Sequence, residues 1–216
     1  MILSVDTTSE FGSIALTEGD RIVEEIPLHS PDGFGHILFQ RIQQSLARHD
    51  LNVDQLDCLA AASGPGSFTG VRVGLTAVKG LAEAAGKRVV AVSNLKALAF
   101  FGTAPLRATV LDARRGEVYG AIYNDRLEIV APEVVMKFPV WLKMLPACPL
   151  EFIATDFSPF RASVNPKIPV IEARRALAAA IGQIASTEYQ SGRASYPAEI
   201  DANYVRRSDA ELFWKE

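Results

Sequence analysis

Cysteine is scarce in this chain: Cys58 and Cys148 are the only two among 216 residues. Two thiols are too few for a disulfide scaffold or a cysteine-rich zinc site, and a free cysteine behaves as a small buried hydrophobe. Histidine is equally sparse. Of His29, His36 and His49, no two have the three intervening residues that aim a pair of imidazoles the same way from one helix, and Pro31, Gly33 and Gly35 break any helix between the first two. No metal ligand set is therefore expected, and a metallopeptidase reading has little support. No apolar run reaches about 18 residues. Met1-Ile2-Leu3-Ser4-Val5-Asp6 lacks the positive region, apolar stretch and cleavage site of a leader, so a cytoplasmic location without a membrane is expected. An excess of positive charge is missing too. The formal net charge of -3 gives no global attraction to phosphate, so RNA contact would require a local basic patch or a basic partner.

What is present is an ordinary globular composition, 49% hydrophobic and 22% charged, long enough for one large domain or two small lobes. Residues 1 to 5 and Ser13 to Leu16 read as a hairpin around Gly12. Gly19-Asp20 turns the chain into a third strand, Arg21 to Leu28. From His36 to Arg48 the apolar residues recur at helical spacing. A buried strand follows over Cys58 to Ser63, then a helix from Gly70 to Ala85 that stops at Gly86, a strand over Arg88 to Val92 and a helix over Asn94 to Phe101. The second half restarts the order with strands at Ala108 to Leu111, Tyr119 to Tyr123 and Leu127 to Val130. A clipped helix at Val140 to Leu145, strands at Phe152 to Thr155 and Val170-Ile171, and an amphipathic helix over Arg174 to Gln190 complete it. Each half has an apolar strand ending in Asp, a polar turn, a second strand, then Asp-Arg opening a third: Asp6 with Asp20-Arg21, and Asp112 with Asp125-Arg126. This pattern predicts an α/β chain of two duplicated lobes, residues 1–102 and 103–216, each a mixed sheet with flanking helices, with the tail from about 195 packing back on the first lobe. Strand triplets followed by alternating helices and strands resemble the actin-like ATPase superfamily (ASKHA, ribonuclease H-like), whose members hold nucleotide between their lobes.

Ser63-Gly64-Pro65-Gly66-Ser67-Phe68-Thr69-Gly70-Val71-Arg72-Val73-Gly74 is a glycine-rich turn that delivers a strand into a helix. A phosphate loop would use the free amides and the positive helix end, but Val71-Arg72 stands where Lys-Ser or Lys-Thr is needed. The glycine spacing does not fit a dinucleotide fingerprint either. A tight turn capped by Ser67 or Thr69 is the structural alternative. Gly70, Gly74, Ala77 and Ala84 put small residues on one side of the helix, with Val71, Leu75, Val78 and Leu81 nearby, so this helix could face its own core or a partner. Gly-x-Ser-x-Gly is absent, which removes the nucleophile-elbow hydrolases. Asp6 and Asp112, each following a strand, stand either as ordinary turn residues or where nucleotide-binding relatives orient metal-bound water.

The glycine-rich segment resembles the signature of the TsaB (YeaZ) family. So do Ile2-Leu3-Ser4-Val5-Asp6-Thr7-Thr8, the turn Asp112-Ala113-Arg114-Arg115-Gly116-Glu117-Val118-Tyr119 and the tail Tyr204-Val205-Arg206-Arg207, four blocks in order over nearly the whole chain. The resemblance implies two actin-like lobes in a non-catalytic partner of TsaD, which transfers threonylcarbamoyl from an adenylate made by TsaC to adenosine in tRNAs that read codons starting with A. A TsaE-like ATPase joins that pair. It also implies that the helices from His36 and from Gly70 form the TsaD-facing surface, through His36, Phe39, Gln43, Gly70, Val71, Gly74, Leu75, Ala77, Val78 and Leu81. Catalytic residues and a cofactor of its own are not expected. ATP or ADP at the interface of the assembled complex stays open, with Asp6, Thr7, Thr8 and Asp112 as vestiges of a nucleotide site, as does a homodimer when the chain is alone. An actin-fold ATPase or kinase is the alternative, against which stand the bulky Arg114 and Arg115 where a phosphate-wrapping loop favours small residues. tRNA would be met through the complex. The pairs Arg114-Arg115 and Arg206-Arg207 read as solvated surface or as contacts for an acidic partner or RNA phosphate, and Tyr204, Phe213 and Trp214 make the tail apolar enough to dock.

Overall fold

A computed structural model describes residues 1–206. In chain order its elements are β1 (Ile2–Asp6), β2 (Phe11–Glu18), β3 (Arg21–His29), α1 (Leu38–Arg48), β4 (Cys58–Gly64), α2 (Phe68–Ala85), β5 (Arg88–Ser93) and α3 (Asn94–Ala99). They continue with β6 (Leu106–Asp112), β7 (Glu117–Asn124), β8 (Ile129–Lys137), α4 (Phe138–Leu142), β9 (Glu151–Ala154), β10 (Val170–Glu172) and α5 (Ala178–Gln190). Two units emerge from the contacts. One gathers residues 1–94 and 175–203, the other residues 95–174 together with 204–206. Arg207, Ser208, Phe213 and Trp214 lie outside the described residues, and with them the expectation that the last aromatics dock.

Each unit is built on a five-stranded mixed sheet. The strand orders are β3-β2-β1-β4-β5 and β8-β7-β6-β9-β10, the same order twice once the chain is counted from its midpoint. In both, two antiparallel pairs precede a parallel crossover: β1 pairs antiparallel with β2 and parallel with β4, and β6 does the same with β7 and β9. Asp6 and Asp112 end the equivalent strands.

Strand periodicity decides what covers the first sheet. Leu3 and Val5 of β1, with Ile14 and Leu16 of β2, share one face and join Leu38, Ile42, Leu46, Val71, Leu75 and Val78 in a single core beneath α1 and α2. Each of these large side chains contributes about 1.5–3 kcal/mol by leaving water. The alternate residues are small or polar, and α5 lies on them. A Cβ on Gly182 would come within 2.6 Å of Thr17 Oγ1 and 2.9 Å of Ser4 Oγ, so only glycine permits this approach. The first amides of α5 find acceptors there, Ala178 N on Ser13 Oγ (2.9 Å) and Ala179 N on Glu25 Oε1 (2.8 Å), while Ser4 Oγ donates to Ala178 O (2.7 Å). The helix expected over Arg174 to Gln190 thus begins at Ala178 and belongs to the first sheet.

In the second unit, Phe138, Trp141, Phe152, Phe157 and Phe160 form an aromatic core with Val110 and Val118. The helix expected from Val140 starts at Phe138, with Pro139 in its first turn where no amide partner is needed. Trp141 lies over Gly120, whose Cβ would fall 2.5 Å from the indole. Buried Glu151 accepts from the amides of Thr103 and Ala104, and Arg107 donates to the carbonyls of Ala99 and Ala104, which together fix the segment leading into β6. Among the described residues no helix is long and apolar enough to cross a membrane.

Candidate interaction site

The end of β1 and the glycine-rich turn form one interlocked block. Asp6 is buried. Its Oδ1 accepts from Thr8 N (2.9 Å) and Thr8 Oγ1 (2.7 Å), and its Oδ2 faces Asn94 Nδ2 at 3.4 Å. Burial pushes the carboxyl up from its ordinary value, against the opposing hydrogen bonds from Thr8 and Asn94. Asn94 also donates to Thr8 Oγ1 (2.8 Å) and accepts from Gly64 N (3.1 Å), tying β1, β4 and the start of α3 together.

The glycines serve this block. Thr8 O accepts from Ser67 N at 2.6 Å, and Thr7 Oγ1 donates to Gly70 O at 2.7 Å. A Cβ would stand 2.5 Å from Thr8 O at Gly66, 2.0 Å from Thr7 O at Gly70 and 2.5 Å from Thr7 Oγ1 at Gly74. Glycine at these three positions lets α2 lie directly on the Asp6-Thr7-Thr8 turn, and Ser67 caps the helix through Gly70 N. The glycines are thus accounted for by a capped tight turn packed on the end of the first strand. At the other end Gly86 adopts φ 62°, the left-handed cap its position predicts.

The same geometry corrects part of the expected partner surface. Ala77, though buried, also lines the groove described below, whereas Val71, Gly74, Leu75 and Val78 are buried against their own sheet and helix α1, and Gly70 is pressed onto Thr7. Their side chains are spent on the core because the strip of small residues fits β1, not an outside helix. Leu81 is partly buried against the same cluster. His36, Phe39 and Gln43 do face solvent.

What α2 presents outward is the complementary strip Phe68, Thr69, Arg72, Val73 and Thr76, which sequence reading passed over. With Leu38 and Phe39 it lines a groove of about 450 Å³. Phe39 and Phe68 are 55% and 43% exposed, and the Arg72 guanidinium lies 3.8 Å above the Phe68 ring. The second wall is held in place by α1's own anchors. Glu24 on β3 accepts from Ser45 Oγ (2.6 Å) and Arg48 Nε (2.9 Å). Burial would raise that carboxyl, but the Ser45 and Arg48 hydrogen bonds and the nearby Arg48 and His49 outweigh it and hold Glu24 below its usual value. A signal for the strip was available: Phe68, Arg72 and Thr76 recur at four-residue spacing, opposite the buried stripe.

Asp112, in the second unit, is exposed and differs from Asp6. Its Oδ1 accepts from Arg114 N at 2.8 Å at the start of the β6–β7 turn. Cys58 is buried, and burial pushes its thiol up to about 12, which disfavours the thiolate. Among the described residues no three His, Cys, Asp or Glu side chains are grouped as metal ligands.

The family model TsaD, tRNA N6-adenosine threonylcarbamoyltransferase, matches residues 27–182. The tRNA threonylcarbamoyladenosine biosynthesis protein TsaB of Bacillus subtilis is 34% identical over 149 residues, covering 67% of this chain and 65% of that protein. TsaB of Escherichia coli is 35% identical over 127 residues, covering 57% of this chain and 54% of its own length. The matched region therefore spans between half and two thirds of these relatives. The solved structure of YeaZ from Pseudomonas aeruginosa superposes with a TM-score of 0.77 at 24% identity, over 94% of this chain and 98% of that one. That likeness shows the α/β fold, and together with the match to the TsaD family model it supports two lobes of the actin-like kind.

Proposed function

The chain belongs to the TsaB (YeaZ) family, and we propose on that premise that it is a non-catalytic subunit of tRNA threonylcarbamoyladenosine formation. In this reading it binds a TsaD-like threonylcarbamoyltransferase through the groove between α1 and α2. The observation that carries the proposal is the pair of exposed aromatic rings, Phe39 and Phe68, walling an apolar groove on two rigid helices. Exposed aromatics beside an arginine are the side chains that dominate binding energy at protein interfaces. A carbamoyl-transfer centre within this chain has less support. None of its histidines has the paired spacing, and both oxygens of Asp6 face donors of its own fold, Thr8 and Asn94.

The test is co-purification with the TsaD-like subunit of the same organism, followed by threonylcarbamoylation of a tRNA transcript with and without this chain. Modification is expected to require both proteins. Phe39→Asp is expected to weaken the pair by roughly 100-fold, about 3 kcal/mol for a carboxylate buried without a partner, with the melting temperature of the isolated chain unchanged. Full modification in the absence of this chain would refute the function, and normal binding by Phe39→Asp would move the interface away from the groove.

A further inference from the structure

The turn between β6 and β7 is built in a way that its own fold does not require. Arg114, Arg115 and Gly116 are consecutive residues with φ of 66°, 55° and 72°. Two side-chain-bearing residues in succession, ahead of a glycine, occupy a region that glycine, asparagine and aspartate enter at far lower cost. The strain is held by the surroundings. Arg114 N donates to Asp112 Oδ1 (2.8 Å), Glu117 N donates to Arg114 O (3.0 Å), Lys137 Nζ donates to Arg115 O (2.5 Å), and Arg206 donates to Ala113 O (2.9 Å) and to Glu117. Strain fixed this firmly at a surface turn points to what the side chains do outside it.

Outside it they present charge. The side chain of Arg114 is 86% exposed, and its guanidinium stands at 4.0 Å from Asp112, the limit of an ion pair. Arg115 is exposed as well. Glu117 is taken by Arg206, and among the described residues Arg114, Arg115, Lys137 and Arg206 gather at this turn with Asp112 and Glu117 as the carboxylates paired there. A chain of net charge -3 thus concentrates exposed guanidinium from Arg114 and Arg115 on one turn. The turn between the strands, Ala113 to Gly116, carries no large apolar side chain of the kind that centres a protein interface. Guanidinium on a fixed backbone suits phosphodiester oxygens, which are read by position and charge without a hydrophobic partner.

We propose that the β6–β7 turn is an RNA-backbone contact, with Arg114 and Arg115 each engaging a phosphate of the tRNA bound by the assembled complex. The inference rests on the tRNA-modifying role given above and assigns this chain a direct part in holding the substrate. The test exchanges the two arginines for residues that enter the left-handed region at lower cost, Arg114→Asn with Arg115→Gly. A structural role predicts that this weakens the protein. Instead the melting temperature is expected to rise by roughly 2–4 °C as the strain is relieved. Titration of an unmodified tRNA transcript with the complex of this chain and its TsaD-like partner, from 50 to 200 mM salt, is expected to show binding roughly fivefold weaker or more. The slope of log K against log salt should fall by about 1.4 to 1.8, the share of two phosphate contacts. Arg114→Lys with Arg115→Lys should keep the wild-type slope. Unchanged affinity and slope in the Asn-Gly variant overturn the proposal. Loss of the TsaD-like subunit by that variant also overturns it, making the turn a protein interface. Co-purification of the wild-type pair reports separately on the partnership. Should that fail, the same titration with the chain alone at about 20 mM salt must still separate wild type from variant, and equal binding there sinks the RNA contact by itself.

Discussion

Two substitutions in one helix, Gly70→Ala and Gly80→Ala, should move stability in opposite directions. At Gly70 the new Cβ would lie 2.0 Å from Thr7 O, 3.1 Å from Thr7 C and 3.4 Å from Ser67 Cβ. The atom it meets first is backbone, in a buried strand end with no rotamer to change. Relief needs a separation greater by more than about 1 Å, since C···O contact is ordinary only beyond roughly 3.3 Å. That movement pulls the first turn of α2 off the Thr7 and Thr8 block. It breaks Thr7 Oγ1 to Gly70 O and strains Ser67 N to Thr8 O. Overpacking costs about 1–3 kcal/mol and each hydrogen bond about 0.5–1.5 kcal/mol. The helix-propensity gain on replacing glycine is at most about 1 kcal/mol and smaller in a first turn. The net is a loss of about 2–4 kcal/mol, or roughly 5–15 °C for a chain of this size. At Gly80 a Cβ meets nothing within 4 Å, so only the propensity term remains and the melting temperature should rise by about 2–3 °C. Thermal melts followed by far-ultraviolet circular dichroism, with urea midpoints as a second measure, decide the matter. A Gly70→Ala protein as stable as the wild type would refute the reading that these glycines exist for the approach of α2 to β1. It would restore the possibility that the strip faces outward.

Asp6→Asn should change the pH dependence of stability. Burial raises the folded-state value of Asp6 above its ordinary 3.8, so its contribution is fully present below that value and is lost as pH rises through the folded one. Urea midpoints measured from about pH 3.5 to 7.5 should therefore favour Asp6→Asn progressively at the upper end, and parallel curves for the two proteins would contradict this. Gly120→Ala puts a Cβ 2.5 Å from the Trp141 ring and should cost the second unit about 1–3 kcal/mol, seen as an altered near-ultraviolet tryptophan signal and an earlier melt; an unperturbed indole would argue that Trp141 has room to move.

Much of the fold was legible because it rests on periodicities of adjacent residues. Alternation in Leu3-Ser4-Val5 and Ile14-Ala15-Leu16 marks strands with one large and one small face, and Gly86 closes α2 where the apolar spacing ends. The duplication was legible from Asp6 with Asp20-Arg21 and Asp112 with Asp125-Arg126, since equal turn chemistry recurs wherever an equal strand order has to be closed. The return of α5 to the first sheet was not. Nothing local in Ala178-Ala179-Ala180 names its partner; the match is with Ser4, Ser13 and Thr17, well over a hundred residues away, and only the close approach at Gly182 makes it visible.

The candidate site divides along the same physical line. A strip of Gly and Ala on a helix says that something comes close, and it says nothing about whether that something is the chain's own strand or another protein. In α2 the hydroxyls and carbonyls of Thr7 and Thr8 fill the approach, so the small-residue strip is structural, and the recognition surface proposed above lies on the opposite strip, where Phe68 and Arg72 are at the surface. The two assignments are coupled. Because Gly66, Gly70 and Gly74 lock one side of α2 to β1, the other side is held rigid without any contribution from a partner. A binding surface preformed in this way loses little conformational entropy on association. On the proposed interface the glycine-rich segment would act on recognition indirectly: it sets where Phe68 stands relative to Phe39, and a glycine substitution there should weaken association only to the extent that it first displaces the helix.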